Sequence, residues 1–212
     1  KLAVYGLPLV ISGEGLSIVK SNADRYFLAA SGSLHETGIY SLGYRVGMAM
    51  SMLLNAFVVA WPPMMFRILK DPNAPKIYSR VLTYYLLVAG FVWVLGSSYS
   101  NEIVRLVATP EFQAAGDVVW LILLSYLMQG IFYIMIVGVT VTDRTGWVPV
   151  VVGVASLVNL GANWLLIPRF GMQGAAWATL VSYIFLALLM RAVSRRFYPI
   201  LMERRRVILI GA

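Results

Sequence analysis

Five stretches of the chain, 46–66, 81–101, 118–142, 145–168 and 170–190, each run past twenty residues without one Asp, Glu, Lys or Arg. The hydrocarbon core of a bilayer is about 30 Å thick, and about 20 helical residues cross it. A single such run is compatible with a buried core helix. Five within 212 residues exceed what a soluble domain of that size can bury. The chain is 60% hydrophobic, its mean hydropathy is +0.79, and its solvent is expected to be lipid.

The absence of Cys excludes a disulfide framework, a thiolate nucleophile and Cys-ligated zinc, and a single histidine, His35, excludes motifs built on two. The formal charge of +8 does not point to nucleic acid, because the basic residues fall between and after apolar spans. No phosphate-cradling glycine loop, Ser–His–Asp ordering or metal-ligand cluster occurs, so the expectation is a protein without covalent catalysis and without a cofactor.

The expected fold class is an all-α polytopic membrane protein with six transmembrane helices at about 4–30, 41–62, 79–99, 116–142, 147–167 and 174–191. Turn chemistry separates them at 31–33, 71–75, 109–110, 143–146 and 168–171. Pro62-Pro63 reads as the end of the second span, and His35 as a solvated residue of a short loop, 31–37. Barrel strands are excluded, since they would be about ten residues long with alternating polarity.

With an even number of spans, Lys and Arg divide twelve against three between the two sides. Lys1, Arg67, Lys70, Lys76, Arg80, Arg144, Arg191, Arg195, Arg196 and Arg204–Arg206 oppose Arg45, Arg105 and Arg169. The positive-inside rule then predicts a plasma-membrane protein with both ends in the cytoplasm. Residues 193–212 read as a basic cytoplasmic segment leading into a truncated further helix. Both ends look cut, and the chain is expected to be a piece of a longer protein.

The first span is unusual. Glu14, Ser17, Ser21 and Arg25 recur at helical spacing on one face, Asp24 lies beside them, and Lys20 sits four residues before Asp24, within pairing distance. Charges at bilayer depth need a partner or a wet cavity. The stripe therefore reads as a cavity lining; an ion-pair network that fixes packing, or an interfacial position for Asp24 and Arg25, are the alternatives. Asn55, Gln129, Asn159 and Asn163 on later spans read as interhelical hydrogen-bonding groups, with substrate contact as the alternative. Gly171, Gly174, Ala175, Ala178, Thr179 and Ser182 form a small-residue packing face. Trp61, Trp93, Trp120 and Trp147 read as an interfacial belt.

Several segments resemble a known family. They are Ser21-Asn-Ala-Asp-Arg-Tyr-Phe-Leu28 with Glu36-Thr-Gly-Ile-Tyr-Ser-Leu-Gly-Tyr-Arg45; Ala56-Phe-Val-Val-Ala-Trp-Pro-Pro63; Pro110-Glu-Phe-Gln-Ala-Ala115 with Gln129-Gly130; and Asn159-Leu-Gly-Ala-Asn-Trp-Leu-Leu-Ile-Pro168 running into Gly171-Met-Gln-Gly-Ala-Ala-Trp-Ala-Thr179. In order and spacing these resemble the C-terminal half of polysaccharide biosynthesis flippases, of the multidrug/oligosaccharidyl-lipid/polysaccharide exporter superfamily. The resemblance implies one six-helix lobe of a two-lobe, alternating-access transporter, whose N-terminal lobe belongs to the same longer chain. The implied substrate is a polyprenyl-pyrophosphate-linked glycan. Lys20, Arg25 and Arg45 would then meet phosphate, Glu14 and Asp24 would keep the site from holding too tightly or take up a coupling proton or sodium ion, and Asn55, Gln129, Asn159 and Asn163 would offer hydrogen bonds to sugar. The alternatives are a cation-coupled drug extrusion pump of the same superfamily and an integral-membrane enzyme acting on lipid-linked glycans.

Overall fold

The structure, a computed structural model, describes residues 16–31 and 34–198, with side chains from residue 22 onward. Among the described residues it is helical, without strands. The elements are α1 (Leu16–Ala30), α2 (Leu34–Gly47), α3 (Ala49–Ile68), α4 (Ala74–Ser98), α5 (Ser100–Val107), a 3-10 turn (Pro110–Ala115), α6 (Gly116–Met135), α7 (Val137–Thr140) and α8 (Trp147–Phe197).

Helix α8 runs 51 residues but is broken at Gly171, where φ is 53° and ψ is −132°. Only glycine takes such a conformation without strain, and a Cβ there would also collide with the Glu36 carboxylate. Past the break the chain doubles back. The Gly174 backbone lies against the Leu166 carbonyl, and the Arg144 guanidinium, just ahead of the helix, sits 5.9 Å over the ring of Phe197 at its far end. Two antiparallel arms result, matching the turn expected at 168–171.

At the centre stands α6, with Val118, Leu121, Ile122 and Ile134 wholly buried. Its neighbours include α2, α3, α4 and α8. Aromatic side chains of α4 donate into helix carbonyls, which accept a second bond without breaking the helix. Tyr85 Oη–H reaches Leu127 O at 3.1 Å, Trp93 Nε1–H reaches Trp120 O at 3.1 Å, and Tyr78 Oη–H reaches Met65 O of α3 at 2.8 Å. The core is mainly apolar, as in a water-soluble fold, but the outside is apolar as well. Met52, Val59, Tyr84, Phe91, Leu157 and Trp164 are exposed on the outside, while Asp24, Asn159 and Asn163 lie within.

Four helical segments among the described residues are long and apolar enough to cross a membrane: Ala49–Ile68, Ala74–Ser98, Pro110–Thr140 and Trp147–Phe197. That is fewer than the six spans expected. The folded α8 counts once although the sequence divides it at Gly171, and α1 is described only from Leu16 and carries Lys20, Asp24 and Arg25. The second expected span, 41–62, begins earlier and ends later: residues 34–68 form α2 and α3, which meet at Met48. His35 therefore starts a helix, its ring 6.2 Å from that of Phe112. Pro62 and Pro63 lie inside α3 instead of ending it. Their missing N–H groups deprive the carbonyls of residues 58 and 59 of partners, which membrane helices tolerate. Trp61 is buried, stacked 5.3 Å from Phe57, and so does not belong to an interfacial belt.

Charge is segregated between the two ends. Tyr78 meets Tyr198 with ring centroids 6.0 Å apart, which puts the α3–α4 connection beside the end of α8. Among the described residues Arg67, Lys70, Lys76, Arg80, Arg144, Arg191, Arg195 and Arg196 gather at that end with Asp71 and Asp143. Glu36 lies at the opposite end, by the Gly171 turn.

Candidate functional site

Asp24 is 1% exposed and is the meeting point of four helical segments. One carboxylate oxygen, Oδ1, accepts from Asn163 Nδ2 at 2.6 Å. The other, Oδ2, accepts from the Tyr40 hydroxyl at 2.8 Å and from Thr179 Oγ1 at 2.5 Å. Tyr40 belongs to α2, Asn163 to the first arm of α8 and Thr179 to the second. Asn163 Nδ2 also donates to Asn159 Oδ1 at 3.2 Å, one turn back along the same arm.

Local sequence makes this convergence possible. Asn159 and Asn163 share a face at i, i+4. On the returning arm Ala175, Ala178 and Ser182 have almost no exposure, and these small side chains let Thr179 approach α1 closely. Asn163 lies eight residues from Gly171, about 12 Å along the axis at 1.5 Å per residue. The cluster is thus within the helical bundle and away from its ends.

Each of the three donors to the carboxylate is neutral. The cationic neighbour in sequence, Arg25, turns elsewhere: its guanidinium carbon sits 5.3 Å over the ring of Tyr44, and its buried Nε has no hydrogen-bond partner. Two atoms of the cluster are likewise buried without a partner, Asn163 Oδ1 and Asn159 Nδ2. A carboxylate buried among neutral groups demands a proton or a cation. An unsatisfied amide oxygen beside it adds a hard-oxygen donor of the kind alkali and alkaline-earth ions take.

Of the residues singled out in the sequence, the structure brings together Asp24, Asn159 and Asn163. Arg25 is adjacent but faces Tyr44. Arg45 on α2 and Asn55 on α3 are exposed, and Gln129 on α6 is half-buried; none of these three bonds to the cluster. Ser17, Lys20 and Ser21 fall on α1, but their side chains, like the whole of Glu14, lie outside the described residues, and so does the expected Lys20–Asp24 pair. Sequence reasoning missed Tyr40 as a donor and read Thr179 only as a small packing residue. Asp24 is packed between helices, while the side chains of Glu14, Ser17 and Ser21 on the neighbouring stripe lie outside the described residues.

The fold and this cluster define an all-α, membrane-embedded protein with a buried carboxylate node. No protein family, curated protein or solved structure matches the chain.

Proposed function

We propose that the chain is one six-span lobe of a cation-coupled secondary transporter in the cytoplasmic membrane, facing a second lobe, with both ends cytoplasmic. Its cargo is a lipid-linked, pyrophosphate-bearing glycan moved between leaflets by alternating access. The observation that carries the reading is the Asp24 node. A carboxylate on α1 held by neutral donors from three other helical segments changes its interactions with all of them when a proton or sodium ion arrives, and that couples ion occupancy to helix arrangement. Asp24, with the amide oxygens of Asn159 and Asn163 and the Thr179 hydroxyl, would hold the ion.

The count of six takes the two arms of α8 separately and keeps the sequence expectation of a first span at about 4–30, of which residues 4–15 lie outside the described residues. The orientation rests on the basic end, which the positive-inside rule turns to the cytoplasm. A glycan cargo is supported by Arg25, a half-buried cation whose guanidinium fork suits a phosphate, and by the sequence resemblance.

The test is to replace Arg25 with Ala in cells that depend on the protein, and to follow lipid-linked glycan reaching the outer leaflet. Export should fall at least tenfold at normal protein level, and Arg25→Lys should recover only part of it, because an ammonium lacks the bidentate fork. Undiminished export in the Ala variant would remove the anionic cargo from this lobe.

A further inference from the structure

Between α3 and α4 runs an open apolar groove of about 320 Å³, lined by Leu53, Phe57, Met64, Val81, Tyr84 and Val88 among others. Two sequence stripes make it. On α3 the groove face passes through Leu53, Phe57 and Met64, and three residues on it carries Arg67. On α4 it runs back through Val88 and Tyr84, and four residues earlier carries Arg80. Each apolar stripe therefore ends in an arginine at the same end of the bundle. Lys70 lies on the connection between them and Lys76 in the first turn of α4, and all four cations are exposed. The one carboxylate of this segment, Asp71, already accepts from the Asn73 backbone N–H at 2.7 Å.

Length adds to charge. Leu53 to Met64 is eleven residues, about 16 Å of helix, which is close to half of a hydrocarbon core about 30 Å thick. The groove is one leaflet deep and opens under a cluster of cations.

We infer that this groove is a binding site for an anionic diacyl phospholipid: the phosphate meets Arg67, Lys70, Lys76 and Arg80, and one acyl chain lies along Met64, Tyr84, Phe57, Val88 and Leu53. A facing protein surface would have little use for four cations with a single carboxylate among them, Asp71, at one end of a purely apolar groove. Basic residues next to a span draw anionic lipid in just this manner. That this leaflet is the cytoplasmic one rests on the orientation proposed above; the preference for anionic lipid does not.

The protein is reconstituted in nanodiscs with trace phosphatidylglycerol or phosphatidylcholine carrying a photoreactive acyl chain, and the labelled residues are mapped. Phosphatidylglycerol should label the stretches around Leu53, Tyr84 and Val88 about tenfold more than phosphatidylcholine. Replacing the four cations together with Gln should erase that difference, and Val88→Trp, which fills an exposed position of the groove, should displace the label while helix content is kept. Equal labelling by the two lipids in the unaltered protein would overturn the site, even if the fourfold variant failed to fold. So would a preference that survives loss of the four cations, or chain-to-chain crosslinks in place of lipid adducts. Failure of glycan export would leave the lipid result standing, so the two readings fail separately.

Discussion

Asp24 is the residue on which fold and function should separate most cleanly. Replacing it with Ala removes the acceptor of three interhelical hydrogen bonds, from Tyr40, Asn163 and Thr179. Such bonds average about 0.6 kcal/mol each within membranes, so the variant should lose about 2 kcal/mol. Replacing it with Asn is much gentler. The introduced amide keeps one acceptor oxygen for Tyr40 and Thr179, and its new N–H faces Asn163, whose Oδ1 has no partner and accepts once that amide turns. Stability should then fall by about 0.6 kcal/mol or less, yet the negative charge that calls for a cation is gone. Reversible unfolding in mixed micelles, read alongside export, tests both halves. Asp24→Asn should be folded and inactive, and Asp24→Ala should be both inactive and measurably weakened. An Ala variant as stable as the parent would refute the structural node, and an Asn variant with full export would refute the coupling role.

Two glycines provide further tests. Gly171→Ala forces a side chain into a left-handed backbone conformation and against the Glu36 carboxylate; a loss of about 1–3 kcal/mol is expected in the same micelle assay, partly recovered by adding Glu36→Ala. Gly47→Ala puts a Cβ 2.5 Å from Ile122 Cγ2, so α2 and α6 must move apart at a cost of about 1–3 kcal/mol, and combining it with Ile122→Ala, which removes that Cγ2, should restore part of the loss.

Much of the scaffold was legible because lipid imposes a simple rule on sequence. Charge-free runs of sufficient length locate apolar helices, and Pro168 with Gly171 marked the fold in α8. The boundaries around α2 and α3 were harder. Residues 31–37 looked like a loop, but the helix begins at Leu34, and Gly38 packs against Phe112. Pro62-Pro63 looked like a stop, yet a helix in lipid has no better alternative for its backbone than to continue. At the site, buried Asp24, Asn159 and Asn163 stood out because polar groups are rare in such spans. Tyr40 and Thr179 did not, since tyrosine is common near membrane surfaces and threonine common on packing faces. Their role depends on distances across 16 and 155 residues of chain, which one-dimensional spacing does not encode.

Movement of lipid-linked glycan in inverted membrane vesicles, with an imposed sodium or proton gradient, tests the ion-coupled account most directly. The gradient of one ion should speed transfer by the unaltered protein and leave the Asp24→Asn protein at its gradient-free rate. Transfer that ignores both gradients, or that responds equally in the Asn variant, would contradict it.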